Sequence, residues 1–341
     1  MFSTDWDSIV GPIGFPRVER ADRLVAGRNS RVHRLEGGNR RVVVKQYFLE
    51  GPEPSPRQRR EYRGLRFLWE SGVRAIPEPL WNDFEQGALV LSFIEGLPVA
   101  TTSISLTDID AATDFLVTLR ETAHRPSVRD LDDATDAAFR LEDLTVGIDK
   151  RIDRLVREGQ APETLEASLR DLVERALPAA FTAASHRAKA LLGDRTLGVE
   201  ARTLSPSDFG FHNAIRTKAG LLAFVDFEHF GWDDPAKTIA DFVLHPGMDI
   251  TANLRAAFAK GMLERFSGFD PGLAERTRLL GPLYAVKWAT ILLNEFVPAA
   301  AARRSFASAD TSGNESCLVG QIDKARRMLA LAEDFEVLAG L

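Results

Sequence analysis

The apolar pattern divides the chain in two. Up to about residue 97, apolar residues alternate or run in short β-branched stretches; beyond about residue 107 they recur every three or four positions. Residues 1–20 hold the breakers Gly11, Pro12, Gly14 and Pro16 and are expected to form a leader packed on the first lobe. Residues 23–35 read as a strand arm with a kink at Gly27-Arg28-Asn29-Ser30. Gly37-Gly38-Asn39 is a hairpin signal, and 41–47, with Val42, Val43 and Val44, reads as the returning strand. After a loop with Pro52, Pro54 and Pro56, a helix is expected over 57–69, with Leu65, Leu68 and Trp69 on one face. The stretch 89–93 is mostly apolar, hence a central strand, and leaves through a hinge at Glu95-Gly96.

The second part is helical text. A capping-box-like start at Thr107 opens the first helix, with Ile109, Ala112, Leu116 and Leu119 at helical spacing. Further helices are expected over 143–157, 161–177, 237–244, 250–266, 271–280 and 283–296, and from about residue 318. Asp270-Pro271 reads as an N-cap and first-turn proline. Between 197 and 235 the pattern switches to short strands around Asp208 and Asp226, and 299–316 reads as a flexible loop.

Composition narrows the class. A chain of 341 residues has room for about two domains at ~100–200 residues each; the pattern places them at 1–97 and 98–341. Net charge of −6 and pI near 5.7 argue against nucleic acid as partner and leave nucleotides open. The single cysteine, Cys317, excludes an intrachain disulfide framework and a cysteine-rich zinc site. The acidic start Met1-Phe2-Ser3-Thr4-Asp5 lacks signal-peptide features, and no apolar run reaches the ~18 residues of a membrane span, so a cytoplasmic protein is expected.

The chemistry gathers between Leu204 and Asp234. Asp208 is followed five residues later by Asn213, then by an apolar strand ending in Asp226. This is what phosphoryl transfer through bound magnesium requires: oxygen ligands for the metal and a carboxylate at the acceptor hydroxyl. Lys45 ends the valine run and must be paired if buried. Glu61 lies four residues before Leu65 and seven before Leu68, so it points inward and suits that partner. In kinases such a pair holds the lysine against the nucleotide's α- and β-phosphates. Ser30 and the kink before it offer donors to phosphate, but the text is neither a P-loop nor a G-x-G-x-x-G and taken alone reads as an ordinary β-bulge or turn. Backbone groups of Ser92, Phe93 and Ile94 offer an edge to adenine. His212 and His229 flank the site as substrate contacts or structural histidines. Tyr284, Trp288 and Glu295 recur on one helical face as acceptor contacts, or as core aromatics with a surface glutamate. Asp208-Phe209-Gly210 spells the protein-kinase metal motif, but no upstream Asp has Asn five residues on; Asp194 is followed there by Val199.

In this order the motifs resemble the aminoglycoside phosphotransferase and choline-kinase-like family, small-molecule relatives of the protein kinases. The resemblance rests on Asp208 and Asn213, Val225-Asp226-Phe227-Glu228, Trp232-Asp233-Asp234-Pro235, Lys45, Glu61 with 62–69, and the hinge at 92–96. It implies an α+β, two-lobed, protein-kinase-like fold: a small mixed lobe with an antiparallel sheet, then a larger, mainly helical lobe. It also implies Asp208 as the catalytic residue, Asn213 and Asp226 as Mg²⁺ ligands, and Lys45 held by Glu61 on ATP. Two positions depart from the pattern. Pro206 stands where the family has His, with Ser207 in place of Gly; Thr238 stands where Asp is frequent, with Asp241 three residues on. The expected function is ATP-dependent phosphorylation of a small-molecule hydroxyl, by a monomer or homodimer with no nucleic-acid or membrane partner; Glu228 joins the candidate acceptor contacts. A non-catalytic nucleotide-binding pseudokinase and AMP transfer remain the alternatives.

Overall fold

The computed structural model describes residues 4–24, 30–49, 55–125, 128, 130–298 and 315–341. The Gly27–Asn29 part of the kink and 299–314 of the expected loop lie outside the described residues.

The first lobe is a five-stranded antiparallel sheet with strand order β1-β2-β3-β5-β4. Its strands are β1 (Arg20–Leu24), β2 (Ser30–Gly37), β3 (Arg40–Tyr47), β4 (Pro79–Asp83) and β5 (Ala88–Ser92). The single arm expected over 23–35 is therefore two strands, with Leu24 opposite Val32; the kink residues connect them. The β2–β3 turn holds two residues, and Gly38 at φ 55° supplies the positive φ such tight turns demand. Helix α1 (Trp6–Val10) is capped by Asp5. Its Ile9 and Val10, with Phe15, bury one sheet face against Leu35, Val42, Val44 and Val90. The opposite face takes α2 (Pro56–Glu70), where Glu61, Leu65 and Leu68 are buried. A Cβ on Gly64 would lie 2.4 Å from the Phe230 ring, so glycine is what lets α2 approach.

The chain leaves β5 and enters β6 (Gly96–Pro98), which pairs with β8 (Ala214–Thr217) of the second lobe; β8 in turn pairs with β9 (Leu222–Phe224). The strands β7 (Thr203–Ser205) and β10 (Gly231–Asp233) form a separate pair. The helices are α3 (Leu106–Thr122), α4 (Leu141–Glu158), α5 (Glu163–Asp171), α6 (Leu177–Leu192), α7 (Pro235–Leu244), α8 (Ala252–Phe266), α9 (Leu273–Leu292), α10 (Glu315–Glu333) and α11 (Phe335–Ala339). Among the described residues no helix is long and apolar enough to cross a membrane. The larger core runs from Leu65 and Leu68 of α2 into the helical lobe.

Three helix boundaries differ from expectation. The box that opens α3 is Ser105 with Asp108, two residues before Thr107. The helix expected over 161–177 continues through a π turn at Leu172–Ala176 into α6. The two helices expected at 271–280 and 283–296 are one, α9, running through Pro282 and ending in a 3-10 turn at Leu293–Phe296. An interior proline costs ~3 kcal/mol, but nearly every residue from Leu279 to Val286 is buried, and that packing holds the helix together. Asp270 is not the cap of α9; Gly272 is, and Asp270 pairs with Arg276 at 2.5 Å.

Candidate active site

Alternation on β3 sets the first half of the site. Val42 and Val44 face the leader, so Lys45 and Tyr47 face α2. There Lys45 Nζ donates to Glu61 Oε2 at 2.6 Å and to Asp226 Oδ1 at 2.8 Å. Burial alone would lower the Lys45 pKa; the charges of Asp226 and Glu61 reverse this and raise it, so the ammonium stays charged. Glu61 is fixed twice more, accepting from the Tyr47 hydroxyl and, at 3.2 Å, from the Phe227 N–H. Glu228 lies behind, 3% exposed. Burial disfavours its charge, yet the bond from His229 and the charges of Lys45 and Arg57 hold its pKa at about 2. His229 Nε2 is 3.3 Å from Glu228 Oε1.

The second half is the turn after β7. Ser207 adopts φ 67° and Asp208, next to it, lines the cavity. Asp208 Oδ1 lies 3.2 Å from His212 Nε2 and 3.1 Å from His245 Nε2. The two imidazoles stack with centroids 3.8 Å apart. Burial would raise the Asp208 pKa, but these two partners hold it well below the ordinary carboxylate value. His245 is shifted down, chiefly by burial, and its Nδ1 accepts from the Gly247 N–H at 3.1 Å, which leaves Nε2 to donate to Asp208. Asn213 Nδ2 donates to the Asp208 carbonyl at 3.0 Å and closes the loop. Under it, buried Lys237 donates to Ser207 Oγ at 2.6 Å and to Asp233 Oδ2 at 2.7 Å. Asp234 caps α7 and accepts from Arg276 at 2.7 Å.

These groups open on one cavity of about 630 Å³. Asp208, Asn213, Asp226, Glu228 and His212 line it, and Lys45 and Glu61 stand behind Asp226. Among the described residues three non-glycines have left-handed backbone: Asp136, Ser207 and Asp226, at φ 58°, 67° and 69°. All three line this cavity. Such strain costs about 1–3 kcal/mol per residue and gathers at functional sites.

A family model described as the phosphotransferase enzyme family matches residues 22–279, which include both halves of the site. The chain belongs to that family. Solved structures resemble this phosphotransferase-family chain over nearly their whole length. A spectinomycin phosphotransferase in complex with ADP and spectinomycin has a TM-score of 0.67 at 11% identity, covering 97% of this chain and 98% of its own. A choline kinase from Streptococcus pneumoniae scores 0.60 at 18% identity, covering 95% and 97%. A Plasmodium vivax ethanolamine kinase scores 0.59 at 14%, covering 94% and 84%. Identities this low speak for the two-lobed kinase-like fold alone. No curated protein matches the chain in sequence.

The family member departs from expectation at its edges. Tyr284 does not reach the cavity: its ring is fully buried, packed where α9 meets the core. Trp288, one turn on, does line it, with Nε1 donating to Asp241 at 2.8 Å. Glu295 does not line it, because the 3-10 turn at Leu293–Phe296 changes the helical pitch and presents Asn294 there. Ser30 is buried in β2 opposite Tyr47. Ser92 N–H already donates to Glu78 O at 2.9 Å, and Phe93 lies under the Arg41 guanidinium at 5.2 Å; Ser92, Phe93 and Ile94 lie at the exit of β5 and outside the cavity's lining. His245 carries no mark in the sequence. It stands 37 residues from Asp208 in sequence, and no local spacing marks the pair.

Proposed function

We propose that this chain transfers the γ-phosphoryl group of ATP to a hydroxyl of a small molecule, with residues 1–97 as the nucleotide lobe and 98–341 as the catalytic and acceptor lobe. The observation that carries the reading is Lys45 clamped between Glu61 and Asp226, with Asp208 and Asn213 on the same cavity. The donor set fits a hard cation: a partly exposed Asp226 carboxylate, and an Asn213 amide oxygen left as acceptor while its Nδ2 bonds Asp208 O. Magnesium held there would neutralise charge on the transferring phosphates. The positive charge of Lys45 suits the phosphates next to Asp226. Asp208, ionised and held by His212 and His245, orients the acceptor hydroxyl and takes its proton as the oxygen attacks phosphorus and the ADP oxygen leaves.

The names of the solved relatives support a small-molecule acceptor: spectinomycin in one, ethanolamine and choline in the other two. The test is ADP formation from Mg-ATP against a library of hydroxyl compounds. Asp208→Ala is expected to lower turnover by about 10²–10⁴-fold. Turnover untouched by that change would remove Asp208 from the chemistry, and pyrophosphate in place of ADP would refute phosphoryl transfer.

A further inference from the structure

Among the described residues, Arg57 is the cation that the first lobe contributes to the lining of the cavity. It lies in the first turn of α2, four residues before Glu61, so the two side chains leave the helix on one face. Glu61 turns inward to Lys45, and Arg57, one turn nearer the helix start, reaches the cavity. The guanidinium is loosely held. Its Nε stands 4.0 Å from Glu228 Oε1, beyond hydrogen-bond distance, and the side chain is 30% exposed.

The charges around it leave work for a second cation. Glu61, Asp226 and Glu228 bring carboxylate oxygens within 4.8 Å of one another, and Lys45 sets one ammonium among them. Asp208 adds a further negative charge to the same cavity. A magnesium nucleotide is itself an anion, so Lys45 by itself leaves the reacting phosphate poorly matched. Cations on the far side are engaged: Arg151 and Lys287 face Asp136, and Lys237 faces Asp233 and Asp241. Glu228 can release Arg57 without being stranded. His229 Nε2 stays 3.3 Å from its Oε1, and the charge of Lys45 acts on Glu228 more strongly than that of Arg57.

We infer that Arg57 is a catalytic residue that turns from Glu228 to the γ-phosphoryl group of bound ATP and donates to its oxygens during transfer; this rests on the small-molecule kinase reading. The bond from phosphorus to the β–γ bridging oxygen breaks as the acceptor oxygen attacks, and the acceptor proton goes to Asp208. Arg57 takes no proton; its fixed charge meets the negative charge on the phosphoryl oxygens in passage. The planar fork of a guanidinium suits two such oxygens at once. ADP lacks the group that Arg57 grips, so Arg57 falls back to Glu228 once transfer is complete. It therefore separates substrate from product nucleotide, which Lys45, set on the α- and β-phosphates common to both, cannot do.

The experiment is calorimetric titration of wild type, Arg57→Gln and Arg57→Lys with two magnesium complexes, one of a non-hydrolysable ATP analogue and one of ADP. Arg57→Gln is expected to weaken the analogue by about tenfold or more while ADP stays within about twofold. The ADP arm shows at the same time that the variant is folded. Arg57→Lys, which keeps the charge without the fork, is expected to fall between wild type and Arg57→Gln. With the best acceptor of a hydroxyl library, Arg57→Gln is expected to lower kcat by about 10²-fold with KM for the acceptor within about twofold. Unchanged affinity for the analogue, an equal loss for analogue and ADP, or a lysine variant no tighter than the glutamine one overturns the inference and leaves the kinase reading standing. Failure of the wild-type protein to bind either nucleotide removes the kinase reading, and the role of Arg57 with it.

Discussion

Lys45 is the residue on which the first half of the site turns. Glu61, Asp226 and Glu228 offer carboxylate oxygens within 4.8 Å of one another, and the ammonium makes their company tolerable. Lys45→Met removes the compensating charge and leaves buried carboxylates facing each other. Breaking a buried ion pair from one side costs about 3–5 kcal/mol, so a lower urea midpoint is expected together with lost turnover. A wild-type midpoint would show that the carboxylates are relieved in some other way. Glu228 gives a pH signature. Its folded pKa of about 2 lies below the ordinary 4.5, so its ionisation contributes stability that is fully present above pH 4.5 and is lost as pH falls toward 2. The shift corresponds to about 3 kcal/mol. Urea midpoints of wild type and Glu228→Gln are expected to differ most near neutral pH and to converge in acid; a gap independent of pH would assign the effect to packing.

At the scale of elements, the lobes are stitched by β6. A Cβ on Gly96 would lie 2.3 Å from the Arg216 carbonyl oxygen and 2.7 Å from an Ile215 methyl. The first of these is backbone, which cannot swing aside. Gly96→Ala is therefore expected to separate β6 from β8 and to cost about 1–3 kcal/mol, seen in the urea midpoint, with weaker nucleotide binding as the crossing shifts. An unchanged midpoint would mean that β8 yields freely. The elements also show where pattern reading ends. The valines of β3, the inward face of α2 and the helices after Pro235 follow from their own periodicity. The fusion at Pro282 does not, because a local breaker is overruled by burial on every side. Nor does the join of α5 to α6, where a π turn absorbs one residue's misfit without ending the helix. The reversal between β1 and β2 was hidden because both arms share one alternation.

The whole molecule brings together residues that spacing alone cannot relate. Asp208, Asn213 and Asp226 were legible because they lie in one short stretch with fixed intervals, and Lys45 and Glu61 because each needs a partner. The far side of the cavity was not legible: Asp136, Arg151, Asp241 and Lys287 are spread along the sequence from Asp136 to Lys287, and each reads singly as a solvated surface residue. The larger core spans both lobes, so a ligand gripped between them should stabilise the whole chain. At a hundredfold excess over Kd, Mg-ATP analogue binding is worth about 2.7 kcal/mol, and a clear rise in Tm is expected. Asp226→Ala should abolish the magnesium-dependent part of that rise; a rise of the same size would refute Asp226 as a metal ligand.

Asp136, Ser207 and Asp226 bear on how freely this sequence can drift. Each holds a backbone shape that glycine adopts without penalty. A lineage under pressure only to stay folded would be drawn toward glycine at Ser207, while at Asp136 and Asp226 the loss of a carboxylate beside a buried lysine opposes that drift. A change to glycine would also erase a side chain that faces the cavity: the partner of Arg151 and Lys287, the hydroxyl that Lys237 holds, or the partner of Lys45. Mutational robustness and activity thus pull in opposite directions at Ser207 and in the same direction at the two aspartates. A library selected for thermal survival, without any demand for turnover, would be enriched for glycine at Ser207 and would keep Asp136 and Asp226.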